Sequence, residues 1–335
     1  MTRPVVSVRD LVVRFPSLDG SSEVRAVDGV SFDIRPGETF GVIGESGSGK
    51  STVGRTLVGL LAPTSGTMAF GDRDRAAMTR AEWRTERRHY QMIFQDPNAA
   101  LNPRMTILDS LTEPMRIAGG RSKADMQDTA LAALEKVGLR RDMAQRYPHE
   151  LSGGQKQRVN IARVLPLSPR LIVCDEVVAA LDVSIRGEIL NLFKELQDDL
   201  GVAYAFIAHD ISVVAQISDR IAVTYLGQFV ELGPTEGIID DPLHPYTVAL
   251  LSAEPQPLPT HLRHRRRMTL EGDIPSPANP PSGCRFHTRC PWATPDCASL
   301  EPEWRELKPD HRVACHHATE KGMPPLPVRE SVSSD

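Results

Sequence analysis

Apolar residues fall in short runs through the first two-thirds of the chain, and these runs alternate with stretches of helical spacing. Val5–Val8, Leu11–Phe15, Val30–Ile34, Thr39–Ile43, Tyr90–Phe94, Leu171–Cys174, Tyr204–Ala208 and Ile221–Tyr225 read as strands. Helices are predicted after Lys50, over about Lys123–Val137, over Gly154–Leu165 and over Ile185–Leu200. Leu131, Leu134 and Val137 recur at the spacing of one helix face. Strands interleaved with helices predict an α/β fold, a largely parallel sheet with helices on both faces. The earliest strands, with the turn Ser17-Leu-Asp-Gly-Ser-Ser between them, read as an antiparallel addition.

Proline changes the picture beyond this region. Of the 27 prolines, 17 lie from Pro234 onward, so a boundary is expected near residue 250. The expected layout is a core domain over 1–250, a Pro-, Cys- and His-rich region over 251–322, and a disordered tail over 323–335. Apolar residues at 40% and charged residues at 24% fit a folded protein, and the formal charge of −4 argues against a dedicated nucleic-acid binder. No apolar run reaches the ~18–20 residues that cross a bilayer, and the start of the chain has no signal-peptide pattern. The expected location is cytosolic, with any membrane role supplied by a partner. The basic run Arg263–Arg267 reads as a solvated face, with contact to anionic lipid headgroups as the alternative.

Candidate chemistry begins at Gly44-Glu-Ser-Gly-Ser-Gly49-Lys50-Ser51, which fits G-x-x-x-x-G-K-[ST] between an apolar strand and a helix starting near Thr52. Glycines let the backbone approach phosphates and turn N–H groups inward, and the helix start adds positive charge. The expected cradle is Gly44, Ser46, Gly47, Gly49, Lys50, Ser51 and Thr52. Lys50 reaches the β- and γ-phosphates and the Ser51 hydroxyl is a Mg²⁺ ligand. Leu171-Ile-Val-Cys174-Asp175-Glu176 is a second apolar strand, ending in two acids. Ligands of parallel sheets bind beyond the carboxyl ends of strands, so Asp175 is expected to face Mg²⁺ and Glu176 to activate water. Leu151-Ser152-Gly153-Gly154-Gln155 opens another helix, whose Ser152 and glycine N–H groups can hold phosphate oxygens or serve as an ordinary cap.

In this order and spacing, these motifs resemble the ATP-binding-cassette ATPases, over residues 5 to about 250. The resemblance implies a P-loop core with a helical subdomain inserted over about 96–166. It assigns Gln95 in Phe94-Gln95-Asp-Pro to the glutamine loop, with contact to Mg²⁺, and Ala180-Leu-Asp182 to the D-loop. It places Phe15 on adenine and His209 on the γ-phosphate, making Glu176, His209 and Gln95 the catalytic set. It also implies that two such domains pair head to tail, with ATP between the phosphate loop of one and the Ser152–Gln155 segment of the other. Three positions depart from the pattern: Val177 in place of a proline, Ala179 in place of a serine, and Pro166 where a helix normally continues. Proline inside a helix costs ~3 kcal/mol, so the helix is expected to end or kink there.

Within that family, residues 94–106, His244-Pro-Tyr-Thr-Val-Ala-Leu-Leu-Ser-Ala-Glu-Pro and Gly283-Cys-Arg-Phe-His-Thr-Arg-Cys-Pro resemble the ATPases of peptide and nickel importers. This resemblance implies a homologous second ATPase subunit forming a heterodimer, two membrane permeases, an extracytoplasmic substrate-binding protein, and a peripheral place on the cytoplasmic face of the membrane. Di- or oligopeptide is the expected cargo. Nickel or another small solute, and a cassette ATPase unconnected with transport, are the alternatives.

Four of the five cysteines, Cys284, Cys290, Cys297 and Cys315, lie in the C-terminal region. Thiolates suit both Zn²⁺ and iron–sulfur clusters. The first pair is wider than the C-x₂₋₄-C common in structural zinc sites, and the spacing is not that of the common ferredoxins. The resemblance to peptide-importer ATPases implies a [4Fe–4S] cluster here, with Zn²⁺ and uncoordinated or oxidised thiols as the alternatives. A staple for a segment with little apolar core is the expected role, ahead of redox sensing. Cys174 reads as a buried core residue.

Overall fold

The computed structural model describes residues 3–17, 23–253, 268, 270 and 272–324. Two sheets carry the fold. The smaller is antiparallel and is built from β1 (Val6–Pro16), β2 (Glu23–Ile34), β4 (Ser65–Phe70) and β5 (Arg73–Asp74), in the order β2-β1-β4-β5. The two earliest expected strands are one. Asp10, with φ of 49°, makes a bulge between Val8 and Leu11 that the chain crosses without leaving the sheet.

The larger sheet has eight strands. They are β3 (Thr39–Ile43), β6 (Tyr90–Ile93), β7 (Leu171–Asp175), β8 (Ala203–Ala208), β9 (Arg220–Tyr225), β10 (Gln228–Pro234), β11 (Trp304–Lys308) and β12 (His311–Ala314), in the order β11-β12-β10-β9-β3-β8-β7-β6. From β9 to β6 all neighbours are parallel. β10, β12 and β11 continue the sheet antiparallel. The central strands are buried on both faces, which explains their unbroken apolar runs. In β8, Ala203, Ala205 and Ile207 face the core shared with the small sheet, while Tyr204, Phe206 and Ala208 face the core shared with the helices. The two-residue period of the strand thus divides one core from the other.

The helices Ile107–Ala118, Lys123–Lys136 and Gly153–Val164 pack on one another between β6 and β7 in the chain. Thr106, Ser122 and Ser152 cap them, each accepting an N–H three residues on. The last helix ends at Val164, and Leu165–Leu167 form a single 3₁₀ turn, as Pro166 requires.

Beyond residue 270 the chain returns to the main sheet. β12 pairs with β10, matching Glu231 with Val313 and Leu232 with Arg312. Beneath this pairing, the fully buried Glu231 accepts hydrogen bonds from Leu243 N–H (2.6 Å), His244 N–H (3.0 Å) and the His311 ring (2.8 Å). Phe286 is buried against Tyr225, Tyr246 and His244. Met323 packs against the apolar cluster of Leu243 and Val313. Residues 18–22 of the expected turn, Arg263–Arg267 and the expected tail from 325 lie outside the described residues.

Candidate nucleotide-binding site

The phosphate loop leaves the carboxyl end of β3 and closes into the helix Lys50–Leu57. Its glycines are required by crowding as well as by conformation. A Cβ on Gly44 would sit 2.2 Å from the Thr224 carbonyl, and one on Gly49, where φ is 102°, would sit 2.0 Å from the Ala26 carbonyl. Ala26 belongs to β2, and Phe15 lies two residues away across the β1–β2 pairing, opposite Val24. Phe15 keeps over a third of its surface exposed, as an aromatic waiting for a flat partner would. The Lys50 ammonium donates to the Gly44 and Glu45 carbonyls at 2.8 and 2.9 Å. Burial draws its pKa down, and the charges of Glu176, Asp175 and Glu45 oppose that shift.

β7 is buried along its whole length and delivers Asp175 beneath the loop. Ser51 Oγ donates to Asp175 Oδ1 at 2.8 Å, so the hydroxyl and carboxylate expected at Mg²⁺ are already side by side. Burial raises the Asp175 pKa, partly countered by the Ser51 hydrogen bond and by Arg55. A buried carboxylate on a hard-oxygen pair suits a divalent cation, so the donor set fits Mg²⁺.

Glu176 adopts φ of 50°, held by its N–H on the Ile207 carbonyl of β8. That turn aims its carboxylate back over the strand ends. Gln95 Nε2 donates to one carboxylate oxygen at 2.8 Å, and His209 Nδ1 lies 3.6 Å from the other. Gln95 follows β6 and His209 follows β8. Four strands adjacent in the sheet, β3, β8, β7 and β6, therefore bring phosphate loop, acids, glutamine and histidine to one edge. This arrangement can bind a triphosphate with its cation and hold a base over the γ-phosphoryl position.

Not every expected residue joins this edge. Ser152 and Gln155 cap each other, Gln155 N–H to Ser152 Oγ at 3.3 Å and Ser152 N–H to Gln155 Oε1 at 3.0 Å. They open the helix Gly153–Val164, with Gly153 and Gly154 in its first turn, on the helical insert. Asp182 caps the helix Val183–Leu200 and makes no side-chain capping bond. The turn before it closes through Ala179 N–H to the Glu176 carbonyl (3.1 Å) and Leu181 N–H to the Val178 carbonyl (3.2 Å). It does so with Val177 buried in the core and with no proline or serine.

Two contacts to the loop were not expected. Arg289 holds the Glu45 carboxylate with both guanidinium nitrogens, at 2.7 and 3.1 Å, and Glu45 N–H donates to the Tyr246 hydroxyl at 2.8 Å. Their partners are 244 and 201 residues away in the chain, so no spacing in the sequence could signal them.

Of the cysteines, Cys174 is fully buried in β7. The other four are unpaired, with Cys297 and Cys315 buried and Cys284 and Cys290 half-buried. Burial pushes the Cys284 thiol up to about 11 and the Cys290 thiol up to about 12. Cys284 N–H donates to the Cys297 carbonyl at 2.8 Å, tying the two segments together. Among the described residues, no three His, Cys, Asp or Glu side chains are grouped closely enough to hold one metal ion. Cys297 Sγ instead lies 3.4 Å from the Thr294 hydroxyl and from His317 Nε2, so the described arrangement of the four thiols does not itself form a metal site.

Comparison with known proteins gives two family matches. The ABC transporter family matches residues 27–179, and the oligopeptide/dipeptide transporter C-terminal region matches residues 230–297. The chain is 47% identical to the oligopeptide transport ATP-binding protein AppF of Bacillus subtilis, covering 93% of this chain and 97% of that protein. It is 49% identical to the oligopeptide transport ATP-binding protein OppF of Salmonella typhimurium, over 93% and 95% of the two chains. Among solved structures, it is similar to the dimeric ATP-binding cassette MJ0796 bound to ADP and phosphate, with a TM-score of 0.62, 29% identity, and coverage of 69% of this chain and 98% of that one. CbiO1 of Clostridium perfringens, part of a transporter complex, is similar at a TM-score of 0.63 and 27% identity, over 71% and 91%.

Proposed function

The chain belongs to the ATP-binding-cassette transporter ATPases, and on that premise we propose that it is the ATP-hydrolysing subunit that powers a peptide importer, with di- or oligopeptides as cargo. The observation that carries this reading is the joint setting of Ser51 on Asp175 and Gln95 on Glu176 at one sheet edge. The peptide cargo follows from the oligopeptide transport relatives, matched along nearly their whole length, and from the matching C-terminal region.

The residues divide the work by position. Backbone N–H groups of the 44–51 loop and the Lys50 ammonium take the phosphates, and Phe15 stacks on the base. Ser51, Asp175 and Gln95 would hold Mg²⁺, whose charge would offset that gathering on the β- and γ-phosphates. Glu176 orients and deprotonates the attacking water. Its strained turn and the Gln95 hydrogen bond hold it ready, and His209 steadies the γ-phosphate. Ser152–Gln155, at the start of a helix of the helical insert, and Asp182, on the turn after Glu176, act on the nucleotide of a facing subunit. The dimeric cassette among the structural neighbours supports that pairing.

The partner is a homologous ATPase subunit, and the pair works beneath two permeases and an extracytoplasmic substrate-binding protein. No helix among the described residues is long and apolar enough to cross a membrane; the chain is placed on the cytoplasmic face, held there by its permeases. A cleft of about 1020 Å³, bordered by the exposed Leu60, Phe94 and Ile117 and by Arg80, Arg84, Arg87 and Arg88, offers the permeases a mixed apolar and basic seat. Cys284, Cys290, Cys297 and Cys315 would be the ligands of a [4Fe–4S] cluster, which would cross-link a segment with little apolar core of its own once the four thiols draw together.

The test is Glu176→Gln in the full chain with its partner ATPase. The variant binds Mg-ATP and accumulates as a closed dimer. Dimers that dissociate on the wild-type schedule would remove Glu176 from its role.

A further inference from the structure

We propose that Arg289 is a positioning residue for nucleotide binding, an arginine delivered from the cysteine region that fixes Glu45 and masks its charge beside the phosphate cradle. The proposal rests on the ATPase reading and adds a residue that neither the loop motif nor the acidic strand contains.

Glu45 is the second residue of the phosphate loop and a liability there. Its carboxylate sits in the segment that must receive a polyanion, close enough to act on Lys50 through space. Every polar group of Glu45 is engaged. Both carboxylate oxygens accept from Arg289, at 2.7 and 3.1 Å, the N–H donates to the Tyr246 hydroxyl at 2.8 Å, and the carbonyl accepts from Lys50 at 2.9 Å. A bidentate guanidinium fixes the plane of the carboxylate as well as its charge. The Arg289 side chain is only 7% exposed, so solvent screens the pair little. Its outer face meets the Tyr225 hydroxyl at 3.5 Å.

The mounting of Arg289 is stiff. It ends the short turn His287–Arg289, which hangs from the Cys284 carbonyl by the His287 N–H at 3.0 Å. Arg285, just before that turn, donates to the Leu226 carbonyl and to the Asp28 carboxylate. Asp28 N–H meets the Gly227 carbonyl at 2.9 Å, and Gly227 N–H meets the Ser48 carbonyl at 3.0 Å. Arg289 therefore holds the loop directly at Glu45, and Arg285 braces Leu226 and Asp28, the neighbours of the Gly227 whose N–H holds the loop at Ser48.

The experiment is equilibrium binding of a fluorescent Mg-ATP analogue and of Mg-ADP to the full chain. Arg289→Met is expected to weaken ATP binding by ~10-fold and ADP binding by less, because the unmasked carboxylate repels the more highly charged ligand more strongly. Adding Glu45→Gln to Arg289→Met should recover most of the loss, since the charge to be masked is gone. Arg289→Lys, which keeps a cation but loses the fork, should weaken ATP binding by ~3-fold; if the methionine variant unfolds, a lysine variant that binds ATP as tightly as wild type overturns the proposal. Unchanged ATP affinity in Arg289→Met would overturn the proposal, as would a double variant that binds as weakly as the single one. Wild-type protein that fails to bind Mg-ATP would refute the nucleotide reading itself, a separate result.

Discussion

The two ends of this molecule reach the same loop by opposite means. The nucleotide edge is assembled from the ends of four adjacent parallel strands, and each active side chain stands within two residues of a strand or helix end. The cysteine region has short strands and turns; it touches the loop through Arg289 on Glu45, and it is tied to the rest of the fold through Arg285 on Asp28 and the buried Glu231–His311 pair. The first draws precision from a packed sheet; the second relies on buried ion pairs and hydrogen bonds because its own apolar core is small. Substitutions in the first region should therefore strike chemistry and leave the fold, while those in the second should strike the fold and reach chemistry indirectly.

Asp175→Asn should separate the two effects most sharply. Turnover should fall by ~10²-fold or more, because the charge that offsets Mg²⁺ is lost. The nucleotide-free protein should become more stable by about 2 °C in Tm, because burial holds the native Asp175 pKa above its ordinary value and ionisation at neutral pH opposes folding. Asparagine can still accept the Ser51 hydrogen bond. A lower Tm would show that the carboxylate serves the fold as well as the cation.

Cys297→Ser should do the reverse. Anaerobically purified wild type should be brown, with about four iron and four sulfide per chain. The variant should lose both and unfold at lower temperature, with ATP affinity declining only as the loop contacts loosen. Zinc alone in the wild type would refute the cluster.

A smaller effect is expected from His244. Burial lowers its pKa from 6.5 to about 3, so the folded state keeps it neutral where the unfolded chain takes up a proton. Stability from this group is present above about 6.5 and is lost progressively as pH falls toward 3. His244→Asn should flatten that slope in urea unfolding between pH 7 and 5. An unaltered slope would assign acid sensitivity to another group.

What the sequence revealed follows the same division. Gly44, Lys50, Ser51, Asp175 and Glu176 were legible because a phosphate loop and an acidic strand end are local patterns, set by backbone crowding and strand direction. The kink at Pro166 was legible for the same reason. The central strands were visible as apolar runs. β10, β11 and β12 were not, since edge and antiparallel strands mix polar residues into their pattern, as in Arg305, Glu306 and Arg312. The split of Val5–Val8 from Leu11–Phe15 misread a bulge as a break. Arg289, Tyr246 and the Glu231–His311 pair were hidden because contacts across such separations leave no periodic trace.

The most direct test of the central claim is steady-state ATP turnover by the full chain assembled with its partner ATPase and permeases, measured beside the Glu176→Gln form. Mg²⁺-dependent hydrolysis that falls by ~10²–10⁴-fold in the variant is the expected result for loss of a positioned base. Hydrolysis that is equal in the two forms, or absent from both, would contradict the account.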